Sequence, residues 1–216
     1  MDFLAQSIQM ITLMALPFLL AVTLHEAGHA LAAYKLGDPT AKLEGRLSLN
    51  PAVHIDPIGT IAIPLVAVLF QFPFLIGYAK PVMIQPRYFK NMRRDMVIVA
   101  LAGPMGNLIV AIFFALVLKA AMAFGVAGDG WLFRTAQIGI FLNCLFMVFN
   151  LLPIPPLDGA GVVEQFLPHD MAQSYRSIAP FGFFILMGII VVAKEIILVP
   201  TLVIGSVIAT IVGVPF

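Results

Sequence analysis

Apolar residues run through this chain in long blocks, without the polar stripe of a helix that faces water on one side. The first block, residues 8–34, predicts a helix. At about 1.5 Å per residue it is longer than the roughly 30 Å hydrocarbon core of a bilayer. Pro17 is placed to kink it, and Gly37-Asp38-Pro39 ends it. Three further blocks cover about 58–79, 96–124 and 131–152, the first of them broken by Pro64 and Pro73. The last block, 178–216, is interrupted by Lys194-Glu195 and Pro200, and reads as two crossings or one crossing plus an interfacial piece. Residues 40–50 instead alternate polar and apolar side chains, which predicts a short β-ribbon. Asn50-Pro51 and Asp56-Pro57 are turn signals, residues 125–130 form a Gly-rich loop, and the mixed stretch 160–177 predicts a surface loop. There is no internal repeat. The expected fold is an all-α polytopic membrane protein with about five to six transmembrane or re-entrant segments and a short β-ribbon after the first helix. It is expected to form a single domain over 1–216, with its core at about 8–159 and C-terminal membrane segments at about 178–216.

Composition sharpens this reading. Of 216 residues, 61% are hydrophobic and only 11% charged, and the mean hydropathy is +1.03. A soluble domain carries about 25% charged residues, so lipid is expected to face most of this surface. The formal net charge of +1 gives no electrostatic case for nucleic acid as a partner. Cys144 is the single cysteine, which excludes an intramolecular disulfide and a Cys-rich zinc site. The N-terminus lacks the basic region of a secretory signal, and its first apolar block carries the chemistry described next.

That chemistry is His25-Glu26-Ala27-Gly28-His29. H-E-x-x-H on a helix is a zinc-peptidase signature. Four residues make about one turn, so His25 and His29 point the same way and can grip one metal. Glu26 beside them is placed to take a proton from water. Two histidines leave a catalytic zinc one protein ligand short. Asp158 is the unusual acid of the chain: it follows an apolar helix, in the Pro-rich turn Asn150-Leu151-Leu152-Pro153-Ile154-Pro155-Pro156-Leu157-Asp158-Gly159. Ionisable groups at membrane depth are costly and usually functional, so Asp158 is the expected third ligand.

H-E-A-G-H in the first apolar helix, Gly103-Pro104-Met105-Gly106-Asn107 in a middle one and N-L-L-P-I-P-P-L-D-G after a later one resemble the site-2 protease family, the intramembrane zinc metalloproteases. The motifs span residues 25–159, and the chain resembles the short branch without PDZ or nucleotide-sensing domains. The resemblance implies that His25, His29 and Asp158 hold one zinc ion per chain, that Glu26 is the catalytic acid/base, and that Asn150 is a partner of the reacting carbonyl. It places Asn107 in the family's Gly-Pro-x-x-Asn motif. It also suggests a role near the cleft for His54, within Asn50-Pro51-Ala52-Val53-His54-Ile55-Asp56-Pro57. Plainer readings stand beside these. Asn150 can bond backbone freed by Pro153, Asn107 can bridge helices, and His54 can be a loop histidine bonded to Asp56. Gly103 and Gly106 read as close-packing positions.

For the ligands to meet at one depth, the first and fourth segments must run one way and the third must run back. The basic stretch Lys80–Arg94 then lies on the cytoplasmic side. The chain between the first and third segments must therefore cross an even number of times or re-enter. Either 58–79 bends back at Pro64 and Pro73, or residues 38–57 cross as shielded extended backbone. The expected function is an intramembrane zinc metalloendopeptidase acting on transmembrane or membrane-anchored protein substrates in regulated proteolysis. An extended substrate could also pair with the ribbon at 40–49 by strand addition. The expected setting is a prokaryotic cell (inner) membrane. The competing readings are a catalytically inactive zinc-binding membrane scaffold and a metal carrier. The carrier gives no reason for Glu26 and wants acids or histidines along a path through several helices.

Overall fold

The computed structural model describes residues 3–70, 77–126, 128 and 130–216. The described chain is helical, and five helices are long and apolar enough to cross a membrane. The chain has the make-up of a multi-pass membrane protein. Its large apolar side chains are exposed in numbers that water would not tolerate, such as Leu16, Leu31, Ile109, Phe113, Phe183 and Phe184.

Helix α1 spans Phe3–Lys35 and α4 spans Met92–Ala123, with Pro17 and Pro104 inside them. The two pack antiparallel at close range. A Cβ on Gly28 would lie 2.4 Å from the Ala102 carbonyl oxygen, and one on Gly106 would lie 2.4 Å from that of Leu24. Small residues at such crossings let apolar helices touch backbone to backbone where no hydrophobic force drives them together. Helix α5, Trp131–Asn150, packs on α4 and α1. Phe114, Leu118, Ile140 and Cys144 form the buried core between α4 and α5, and Ile208 of α9 (Glu195–Val212) closes it. Helices α6 (Asp158–Glu164), α7 (His169–Arg176) and α8 (Gly182–Val192) precede α9. So residues 160–177 are two short helices, where a surface loop was expected. The last apolar block breaks between α8 and α9: α9 is long enough to span, and α8 completes the helical stretch His169–Val192, which is also long enough.

The β-ribbon expected at 40–50 is not there: the structure has no strands among the described residues. The polar–apolar alternation has a different cause. Asp38 accepts bonds from the Thr40 amide and hydroxyl and starts one helical turn, α2 (Thr40–Leu43). Gly45, at φ +71°, ends that turn. Arg46 then folds inward, its guanidinium donating to the carbonyls of Val53 and Lys80. Polar side chains here serve main-chain groups, close by for Asp38 and as far away as Lys80 for Arg46, and no second strand lies alongside among the described residues.

Among the described residues between α1 and α4, no helix is long enough to span. Asp56 caps a π-helical turn, Pro57–Ala62, that continues into α3, Ile63–Leu69. These 13 residues reach about 20 Å, too short to span. The return strand of coil begins at 77, where the Tyr78 amide donates to Gly59 O (3.0 Å) and the Lys80 amide to His54 O (3.0 Å). The chain thus comes back to the place it left. Pro64 lies in α3, whereas Pro73 lies outside the described residues. Phe89 then packs with Ala33 and Val99, joining the end of α1 to the start of α4.

Candidate metal centre

The antiparallel α1–α4 pair sets the two histidines against α4. Each imidazole is held by its Nδ1. His25 Nδ1 lies 2.8 Å from Asn107 Oδ1, and His29 Nδ1 lies 2.8 Å from the Val99 carbonyl. The Asn107 amide is oriented in turn, because its Nδ2 donates to Ala21 O (3.1 Å) and faces Asn143 Oδ1 (3.4 Å). Both Nδ1 partners are acceptors, so both Nδ1 atoms carry the proton and both Nε2 atoms present lone pairs. Those lone pairs converge: Nε2 to Nε2 is 3.1 Å.

Asp158 arrives from the other side. After α5 the chain turns tightly enough that a Cβ on Gly159 would lie 2.2 Å from Leu151 O. This puts Asp158 at the start of α6, with Oδ2 3.2 Å from His25 Nε2 and Oδ1 3.4 Å from His29 Nε2. Asp158 Oδ2 is buried and accepts no hydrogen bond. A carboxylate facing two imidazole lone pairs in an apolar surround is repulsive unless a cation lies among them. The spacing suits that cation. Ligand atoms about 2.0–2.1 Å from a tetrahedral zinc lie about 3.3 Å from each other. The observed 3.1, 3.2 and 3.4 Å separations match it. One ligand atom from each of His25, His29 and Asp158 falls within 4.8 Å of the others, and among the described residues this is the one such group.

Gly103 forms the wall behind the imidazoles. A Cβ there would lie 2.3 Å from His29 Nε2 and 2.8 Å from His25 Cε1. Glu26, buried, accepts a hydrogen bond from the Val82 amide at its Oε2 (3.1 Å), while its Oε1 has no partner among the described residues. The residues sought in the sequence divide at this point. Asn107 is fully buried and touches His25, so it meets a candidate ligand and not a cleft surface. Asn150 turns its Nδ2 to Phe146 O of its own helix, 3.0 Å away. His54 is fully buried, with Nε2 donating to Ser48 O (2.9 Å), and Asp56 caps the following helical turn. Val99 and Val82 act through main-chain atoms, which no side-chain motif could announce.

The chain is similar to proteins named as zinc metalloproteases. The chain is 39% identical over 193 residues to "Putative zinc metalloprotease YwhC" of Bacillus subtilis, an alignment covering 88% of this chain and 84% of that protein. It is 31% identical over 177 residues to "Putative zinc metalloprotease Rip2" of Mycolicibacterium smegmatis, covering 81% of this chain and 64% of the relative. Rip2 of Mycobacterium tuberculosis H37Rv is 32% identical over 185 residues, covering 86% and 66% respectively. The chain thus spans about two thirds of the Rip2 proteins it matches. No family model and no solved structure matches it. With two lone-pair imidazoles and a carboxylate at zinc-ligand spacing, and with identity to YwhC over most of both chains, the protein belongs to the zinc metalloprotease family of YwhC.

Proposed function

We propose that this protein is an intramembrane zinc metalloendopeptidase of the site-2 protease type. In this reading it cuts peptide bonds in or near transmembrane segments of membrane-anchored proteins, in a prokaryotic cell membrane, as a step of regulated proteolysis. The observation that carries the reading is the convergence of His25, His29 and Asp158, with Glu26 adjoining, between helices apolar enough to span a bilayer. His25, His29 and Asp158 hold one zinc ion per chain. When bound, zinc supplies Lewis acidity toward water and toward a scissile carbonyl.

The chain's own groups do the rest. Asn107 and Val99 keep both imidazoles in the tautomer that leaves Nε2 free. The Val82 amide fixes one oxygen of Glu26, leaving Oε1 to take the proton from water and hand it to the leaving nitrogen. Asn150 is the last residue of α5, where the turn that delivers Asp158 begins; its carbonyl-binding role requires the amide to leave Phe146 O.

Substrate pairing belongs to the coil at 77–83 and not to residues 40–49. The main-chain groups of Tyr78, Lys80 and Val82 turn inward, to Gly59, Thr60, His54, Arg46 and Glu26. Ala79, and Met83 just beyond Val82, leave their main-chain groups free among the described residues, while Pro81 between them offers a carbonyl but no N–H. An extended segment can add to that edge next to Glu26. A helix hides its carbonyls in its own bonds, so substrates need Gly, Pro or Asn near the cut to unwind.

The test is Glu26→Gln in proteoliposomes with a membrane-anchored substrate. Cleavage should fall by about 10²–10⁴-fold or more, with zinc content unchanged. Cleavage that survives the substitution would overturn the mechanism, and absence of cleavage in the wild type with zinc bound would favour an inactive scaffold.

A further inference from the structure

A second charged feature lies at the end of the α1–α4 pair, beyond the metal centre. A cavity of about 190 Å³ opens there, lined by Lys35, Leu36, Lys90, Asn91, Arg94 and Asp95. Three of these six residues are cationic and one is acidic. The acid is already engaged: Asp95 is buried, its Oδ2 accepts from the Asn91 amide (3.0 Å), and its Oδ1 lies 3.7 Å from Arg94 Nε. Lys35 and Lys90 have no carboxylate partner among the described residues. Asn91, whose side chain accepts from the Arg94 amide, caps α4 at this cavity. Eight of the twelve lysines and arginines fall between residues 35 and 94, so this is the basic end of the molecule.

We infer that this cavity binds the phosphodiester headgroup of an anionic lipid. Cations around a pocket between spanning helices suit such a headgroup. The neighbouring surface argues for lipid over free phosphate. One turn back from Lys35 on the same face of α1, Leu31 is exposed, and one and two turns on from Arg94 on α4, Ile98 and Leu101 are exposed. Each helix therefore carries a cation at the pocket and an apolar track running from it into the bilayer, which fits a headgroup followed by acyl chains. The lipid clamps the two helix ends whose register sets the His29–Val99 bond, six and five residues from Lys35 and Arg94. The inference does not depend on the proteolytic reading.

Native mass spectrometry of the full chain, released from detergent and titrated with phosphatidylglycerol or phosphatidylcholine of equal chain length, tests it. The phosphatidylglycerol adduct should dominate, and Lys35→Gln with Lys90→Gln should weaken it by about 25-fold, about fivefold per cation. Lys35→Arg with Lys90→Arg should keep it, as should Lys119→Gln with Lys194→Gln elsewhere on the surface. Thermal unfolding in detergent checks that each variant is folded, and Lys90→Gln alone, in the coil before α4, should still give about fivefold. Equal binding of the two lipids, or a full adduct in the double glutamine variant, would overturn the inference. So would displacement of the lipid by millimolar inorganic phosphate, which would assign the cavity to the free ion.

Discussion

Gly103→Ala puts one methyl group where the structure has no room. Its Cβ would lie 2.3 Å from His29 Nε2, 2.5 Å from His29 Cε1 and 2.8 Å from His25 Cε1. Ordinary contact needs about 3.5 Å, so the His29 ring must retreat by about 1.2 Å. It cannot do so freely, because His29 Nδ1 is tied to Val99 O and His25 Nδ1 to Asn107 Oδ1. Metal sites tolerate ligand shifts of about 0.2 Å. The expected result is loss of most bound zinc and at least about a hundredfold weaker affinity, beyond the 10- to 100-fold of an outer partner's loss. The fold should suffer less. Overpacking costs about 1–3 kcal/mol, partly offset by about 1 kcal/mol from alanine's better helix propensity. Gly161→Ala is the control, since a Cβ there would meet nothing closer than Ala100 Cβ at 3.7 Å. Zinc per chain by elemental analysis and thermal unfolding in detergent separate the two effects. Full zinc in a folded Gly103→Ala protein would refute the argument, because the imidazoles would then not be where the structure puts them.

Asn107→Leu removes the acceptor that holds His25 Nδ1–H, and should weaken zinc binding by about 10–100-fold in a chelator competition. Val82→Pro deletes the amide that fixes Glu26, whereas Val82→Ala keeps it. The proline variant should lose about 10- to 100-fold in kcat with zinc content unchanged, and the alanine variant should match wild type. Asp38, between α1 and α2, is pulled upward by burial but more strongly downward by bonds from the Gln85 amide and from Thr40 and by the Arg87 charge, so its carboxyl sits below the usual carboxylate range. The folded state therefore favours the ionised form. Its contribution is complete above the ordinary carboxylate pKa and is lost as pH falls through the lowered value. Asp38→Asn should unfold about 1–3 kcal/mol more easily at neutral pH, with the gap closing in acid.

Much of this was legible in the chain because it rests on local rules. Long apolar blocks fix helices whatever their neighbours do, and α1, α4 and α5 begin and end within a few residues of the runs that predict them. The i, i+4 spacing of His25 and His29 puts both on one helix face, and the need for a third ligand singles out Asp158. What escaped depends on partners distant in sequence. Alternation at 40–50 resembles a strand, yet Asp38, Gly45 and Arg46 spend those polar groups on turns and on the carbonyls of Val53 and Lys80. The return of the chain at Tyr78 to the place it left rests on its bond to Gly59, which no periodicity encodes. Gly103 read as a packing residue, but what it packs against is the imidazole pair itself.

Metal content of the detergent-purified protein, wild type beside Asp158→Ala, decides whether His25, His29 and Asp158 hold a metal together. About one zinc per chain is expected in the wild type, lost or sharply weakened in the variant. No zinc in the wild type after reloading, or zinc undiminished without the Asp158 carboxylate, would contradict that shared site.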